Sequence, residues 1–107
     1  MTSSTAAAET LLDKLYESGV SSHDVVFTGT TVLEALGIRD AHDLDFICRP
    51  SKKTQVMRAL SSIEWPSSSP KLDFVPGTYE TSGYTDEQIF SSIDALTFSA
   101  RGMRFAR

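Results

Sequence analysis

The stretch from Val25 to Phe46 constrains the fold of this chain more than any other part of its sequence. It opens with Val25-Val26-Phe27, a short apolar run rich in β-branched residues, which is typical of a buried strand. Gly29 interrupts that strand, and Thr31 and Glu34 have the spacing of a capping box that begins a helix. The stretch therefore predicts a strand, a turn, a short helix and a second strand.

The second strand, Leu44–Cys48, begins beside two acidic residues. Because side chains alternate along a strand, Asp43 and Asp45 are expected on the same face. Asp73 lies between apolar residues in another predicted strand, 72–75, and three carboxylates converge if the two strands are neighbours. Like charges at close range repel strongly, so a proton or a cation must neutralise them. Carboxylate oxygens favour Mg²⁺ or Mn²⁺, which makes this a candidate metal site.

The turn before the short helix is a candidate phosphate site. Gly29 lets the backbone approach a ligand closely, and the amides of Thr30 and Thr31 stand at a helix N-terminus, which favours an anion. Arg39 can reach a bound phosphate or form a surface ion pair. A structural interpretation stays open for the whole stretch. In that case the turn is a plain helix cap, Asp43 caps a strand and Asp45 pairs with an arginine.

The remaining elements predict a small mixed fold. We expect helices over residues 6–16, 51–60 and 86–92, strands over 96–99 and 103–105, and loops over 65–70 and 77–84. Gly19 is a plausible stop for the first helix, and Thr85 and Gln88 match a second capping box. Residues 1–107 are therefore expected to form one α/β (α+β) domain, with a mixed sheet of three to five strands and helices packed on it.

Composition excludes some classes of function. The net charge of -4 argues against strong nonspecific affinity for nucleic acid, but not against a nucleotide that arrives with a divalent metal. No apolar run approaches membrane-spanning length, and the first residues do not have the pattern of a signal peptide. The single cysteine, Cys48, has no partner for an internal disulfide, which fits a reducing cytoplasm.

Three separated motifs together resemble the signature of the nucleotidyltransferase superfamily, which has the DNA polymerase β-like fold. They are Gly29-Thr30 before a short helix, Asp43-Leu44-Asp45-Phe46, and Leu72-Asp73-Phe74. Leu36-Gly37-Ile38-Arg39, just ahead of the aspartate pair, is similar to the small-molecule and toxin-type branch of that superfamily.

The resemblance implies roles for these residues. Gly29 and Thr30 would hold the triphosphate of a nucleotide. Asp43 and Asp45 would bind Mg²⁺ or Mn²⁺, and Asp73 would be the third ligand and the general base for an acceptor hydroxyl. The implied reaction moves a nucleoside monophosphate from a nucleoside triphosphate, ATP or another, to a hydroxyl on a small molecule, a protein or an RNA, with release of pyrophosphate.

Two further expectations concern partners. Most relatives continue into a helical segment, whereas this sequence ends at Arg107, so the segment is either absent, as in a minimal catalytic core, or supplied by a homodimer or a partner chain. The alternative is a degenerate module on the same fold that binds nucleotide or a protein partner, as in a regulatory or toxin–antitoxin pair. A third possibility is a small α/β protein whose acids are structural.

Overall fold

Five strands form one mixed sheet in the computed structural model, which describes residues 4–28, 43–74, 78–79, 84–100 and 102–106. In chain order the elements are α1 (Ser4–Tyr16), β1 (Val25–Thr28), β2 (Asp43–Cys48), α2 (Lys53–Ser62), β3 (Lys71–Phe74), β4 (Thr78–Tyr79), β5 (Tyr84–Thr85), α3 (Asp86–Ser91), α4 (Ile93–Leu96), β6 (Thr97–Ala100) and β7 (Met103–Ala106). Short 3₁₀ helices, Ser22–Asp24 and Pro50–Lys52, precede β1 and α2. None of the described helices has the length and apolar character that a bilayer span requires.

The central strand of the sheet is β1, and the strand order is β3-β2-β1-β7-β6. β1 runs antiparallel to β2 and parallel to β7, while β2 and β3 are parallel and β6 and β7 form an antiparallel hairpin. The predicted α+β class, with a mixed sheet of at most five strands and helices packed on it, is confirmed. The condition set by the sequence for convergence of the acids is also met, because β3 is the neighbour of β2.

One face of the sheet is covered by α1 and α2. Alternation along β1 and β2 places phenylalanine side chains on this face, where they pack against the apolar sides of both helices. The ring centroids of Phe27 and Phe46 are 6.3 Å apart, and those of Phe27 and Phe105 are 5.9 Å apart, so neighbouring strands are joined through aromatic contacts. The largest buried aliphatic partners in this core are Leu11, Leu15, Leu44 and Met103.

The opposite face is covered in part by α3 and α4. Val26 of β1 and Ile47 of β2 are fully buried there, in one cluster with Ile89 and Phe90. β2 is therefore apolar on both sides beyond its acidic start, which confirms that it is an interior strand.

Two helix boundaries follow the signals in the sequence. The turn after α1 reaches Gly19, whose φ of +85° is a conformation that glycine adopts without strain, and Val20 N–H donates to the Leu15 carbonyl at 3.0 Å. α3 begins with the predicted capping box. Gln88 N–H donates to Thr85 Oγ1 at 3.2 Å, and Thr85 N–H donates to Gln88 Oε1 at 2.8 Å.

Several elements differ from the prediction, among them the helix α4, which was not predicted, and two strand regions. The expected loop over 77–84 contains β4 and the start of β5, which pair through Thr78 with Thr85 and Tyr79 with Tyr84. Threonine and tyrosine favour extended backbone, and this preference outweighs the glycine and serine nearby. The strand expected from residue 96 begins at Thr97, because Leu96 closes α4 and packs with the apolar cluster of that face. The helix predicted after Gly29 lies outside the described residues.

Candidate metal and nucleotide site

Two of the predicted acids face each other across neighbouring strands. Asp45 of β2 and Asp73 of β3 are register partners in a parallel pair, so their side chains leave the same face of the sheet. The two carboxyl groups are close enough to share a hydrogen bond. β3 is an edge strand and Asp73 is exposed, whereas Asp45 is half-buried. The condition stated for Asp73 is therefore met, since it lies on the strand next to β2 and on the same face as Asp45.

Asp43 lies on the same face at the start of β2, two residues before Asp45. Its register partner is Lys71, and its side chain is exposed. Within the part of the chain that the structure describes, no three His, Cys, Asp or Glu side chains lie together in a way that could hold a metal ion. The structure thus brings Asp45 and Asp73 together, and the role of Asp43 as a further ligand stays a prediction.

Burial and neighbouring acids raise the pKa of the Asp45 carboxyl to about 6. Partial burial is the largest cause, followed by the hydrogen bond to Asp73, the negative charge of Asp73 and the negative charge of Asp43. A hydrogen bond between two carboxyl groups requires a shared proton, and the fraction of molecules that carry this proton falls as the pH rises past about 6. A divalent cation can replace it, because paired carboxylates are hard oxygen ligands of the kind that Mg²⁺ and Mn²⁺ prefer. The donor set therefore fits such an ion.

β1 ends beside this pair of acids. Thr28, the last residue of β1, is fully buried and is the register partner of Asp45. The predicted phosphate-binding residues follow Thr28 in the sequence and lie outside the described residues. Their roles stay predictions, and they are Gly29, Thr30, Thr31 and Arg39.

The part of this sheet face that α3 and α4 cover ends next to the acids. These helices bury Ile47, which is two residues from Asp45 on β2, and Val26, which is two residues from Thr28 on β1. Apolar packing therefore borders the acid pair on one side. On the other side, toward Asp43 and the start of β2, the face is exposed. A ligand would reach the carboxyl groups from that exposed side.

One cation near the acids was not singled out in the sequence. Lys71 begins β3, lies opposite Asp43 and is two residues from Asp73. The alternation that placed Asp43 and Asp45 on one face also places Lys71 on the face of Asp73. That signal was present in the sequence, but the register against Asp43 became visible only in the folded chain.

Comparisons with protein-family models, with curated proteins and with solved structures find no significant match to this chain. Membership of the nucleotidyltransferase superfamily therefore stays a hypothesis that rests on three sequence motifs. The function of the site must be argued from the geometry of the acid pair and of the strands that carry it.

Proposed function

We propose that this chain is a metal-dependent nucleotidyltransferase domain that moves a nucleoside monophosphate from a nucleoside triphosphate to an acceptor hydroxyl. The observation that carries the proposal is the Asp45–Asp73 pair on neighbouring parallel strands. Asp45 is the register partner of Thr28, the last residue of β1, and the predicted turn at Gly29 follows Thr28 in the sequence. Paired acids beside a predicted phosphate-binding turn are the two parts that phosphoryl transfer needs.

Asp45 and Asp73, with Asp43 from the same face, would hold the divalent ion, Mg²⁺ or Mn²⁺. The bound ion would neutralise the carboxylates and stabilise the charge that develops on the phosphate oxygens. Gly29 and Thr30 would cradle the triphosphate with their backbone amides. A metal-binding role would explain why the fold keeps Asp45 in surroundings that raise its pKa.

Asp73 is the best placed of the acids to act on an acceptor, because it is exposed on an edge strand. In the proposed reaction it accepts the proton of the acceptor hydroxyl. The acceptor oxygen forms a bond to the α-phosphorus, the bond from that phosphorus to the bridging oxygen of the β-phosphate breaks, and pyrophosphate leaves with that oxygen. The acceptors to test are hydroxyl groups on small molecules, proteins and RNA.

We further place this activity in the cytoplasm, where magnesium nucleotides are abundant and thiols stay reduced. The Cys48 thiol is consistent with that compartment. Burial, followed by the negative charge of Asp86, raises its pKa to about 11, so the thiolate needed for disulfide exchange is scarce at neutral pH.

The test is pyrophosphate release from ATP, GTP, CTP and UTP with Mg²⁺ or Mn²⁺, in the presence of small-molecule, protein or RNA acceptors that carry a free hydroxyl, for the wild-type chain and for Asp45→Asn. We expect release to fall at least ~100-fold in the variant, because the neutral amide is a poor metal ligand. Asp94→Asn is the matched control, since Asp94 is 91% exposed and is held by a surface ion pair with Arg104 at 3.3 Å. Normal turnover by Asp45→Asn would remove the basis of the proposal.

The same assay separates the alternative function. A catalytically degenerate module would be stabilised by a metal nucleotide, by an increment set by ligand concentration and affinity, while consuming no triphosphate. The assay is repeated with a candidate partner chain. Pyrophosphate release only in its presence would indicate a domain that the partner completes, whereas no release would indicate a degenerate module. No response to metal or nucleotide under any of these conditions would instead indicate that the acids are structural.

A further inference from the structure

Lys71 occupies a position that links the acid pair to the exposed side of the sheet. It is the first residue of β3, is exposed, and is directly opposite Asp43. Alternation along β3 puts it on the same face as Asp73, and therefore on the face that carries every acid of the site. A lysine side chain is long and flexible, so its ammonium group can reach a ligand held beside either strand.

Only one other described strand residue is cationic, and it has a different setting. Arg104 of β7 is on the same face of the sheet but three strands away from β3. Its guanidinium donates to Asp94 at 3.3 Å and to Thr97 Oγ1 at 3.4 Å, so it is engaged with α4 and the start of β6. Lys71 is thus the one cation among the described strand residues that adjoins the acids.

The charge balance of the site shows why a cation is useful there. A divalent ion would neutralise the carboxylates, but the outer phosphates of a bound triphosphate would remain negative. The acids repel such a ligand, and a neighbouring ammonium group offsets that repulsion. In the absence of ligand, Lys71 can pair across the strands with Asp43, and because both side chains are exposed this interaction is weak and easily exchanged.

We propose that Lys71 is a phosphate-binding residue of this site, whose ammonium donates to phosphate oxygens of the bound nucleoside triphosphate. This inference rests on the function proposed above and adds to it a residue that selects a polyphosphate over a metal ion alone. The competing explanation is that Lys71 only screens the acids from one another. The two explanations differ in what removal of the ammonium group does to the affinity for a magnesium triphosphate, which should fall if Lys71 binds phosphate and should stay the same or rise if it only screens.

The experiment measures, by isothermal titration calorimetry, the affinity for Mn²⁺ alone and for the Mg²⁺ complexes of ATP, GTP, CTP and UTP. The variants are Lys71→Ala, Lys71→Arg and the matched control Arg104→Ala. We expect Lys71→Ala to weaken binding of the preferred magnesium triphosphate ~10-fold, as for one charged hydrogen bond, while Mn²⁺ alone binds equally well or better. Lys71→Arg should recover most of the loss, and Arg104→Ala should change neither affinity by more than about twofold.

The outcomes separate this inference from the proposed function. If Lys71→Ala leaves the triphosphate affinity unchanged or increases it along with the Mn²⁺ affinity, Lys71 is a screening residue and only this inference is overturned. If the wild-type chain binds no metal triphosphate, the proposed function and this inference are overturned together. Unfolding temperatures of the variants, which we expect to match wild type because Lys71 is exposed, exclude a general loss of fold.

Discussion

The two ends of β2 hold carboxyl groups in opposite surroundings. Near its start, Asp45 faces Asp73, whose negative charge helps to raise the pKa of Asp45. Just beyond its end, Arg49 binds Asp24, with Arg49 Nε donating to Asp24 Oδ1 at 2.9 Å. A single strand of six residues therefore separates a pair of like charges from a pair of opposite charges. The second pair shows how this fold places a carboxylate when only stability is at stake.

The surroundings of Asp24 favour its ionised form. Ser21 N–H donates to Asp24 Oδ2 at 3.1 Å, and the Ser21 hydroxyl donates to the same oxygen at 3.2 Å. Burial alone would raise the pKa of Asp24, but the hydrogen bonds from Arg49 and Ser21 outweigh it and lower the pKa. The Arg49 guanidinium also lies 5.0 Å from the ring centroid of Phe90, so it joins β2 to α3.

The contrast between these carboxyl groups carries the functional argument. Asp45 is in a setting that opposes its charge at neutral pH, and the fold would be more stable with a neutral residue there. Groups whose pKa is displaced by burial and by a specific charged neighbour are concentrated at functional sites. The Asp24 corner, in contrast, is fully explained by its contacts and calls for no ligand.

Removal of the Asp24 carboxylate should have the largest effect on stability. Asp24→Ala deletes the acceptor of three hydrogen bonds and leaves Arg49 without its ion-pair partner. We expect the free energy of unfolding to fall by ~2 kcal/mol at pH 7, measured by urea denaturation. Because folding lowers the pKa of Asp24 from its ordinary 3.8, the difference should persist above pH 3.8 and narrow as the pH falls further. A loss below 0.5 kcal/mol, comparable to the exposed control Asp94→Ala, would contradict this account.

Replacement of Asp45 should act in the other direction. Folding raises its pKa from 3.8 to about 6, so the protonated pair favours the fold below pH 3.8 and this contribution is lost as the pH rises through 6. Asp45→Asn removes the ionised form, and we expect it to stabilise the chain at pH 8 by roughly 1 kcal/mol, after allowance for solvent screening at this half-exposed site. Near pH 4 the gain should vanish. A variant that is less stable than wild type at pH 8 would show that Asp45 is a structural residue.

The sequence predicted the parts of this site that depend on local pattern. Alternation fixes that Asp43 and Asp45 share a face, and the apolar runs around them predict the strands β1 and β2. Which strand lies beside β2 depends on packing of the whole sheet, so the sequence could state the pairing of Asp45 with Asp73 only as a condition. Lys71 was missed for the same reason, since its partner Asp43 is set by register and not by spacing.

The Asp24–Arg49 pair was beyond the reach of sequence patterns. Its members are separated by 25 residues, and each has an adequate local interpretation, Asp24 in a polar connection and Arg49 at a strand end before Pro50. They meet because the antiparallel register joins Val25 to Cys48, which brings the residues just outside both strands together. Long-range ion pairs of this kind follow from the topology, which local periodicity does not determine.

The smallest effect should come from a change that keeps the charge of Arg49. Arg49→Lys retains the attraction to Asp24 but loses the planar group over Phe90 and the donation to the His23 carbonyl at 3.3 Å. We expect a loss of ~0.5 kcal/mol in urea denaturation at pH 7, because the site is partly exposed. Arg104→Lys is the matched control, since the partner of Arg104 is 91% exposed, and it should be close to neutral. Equal losses in the two variants would mean that the geometry around Asp24 adds no stability beyond the charge of residue 49. The contrast with Asp45 would then depend only on the sign of the neighbouring charge.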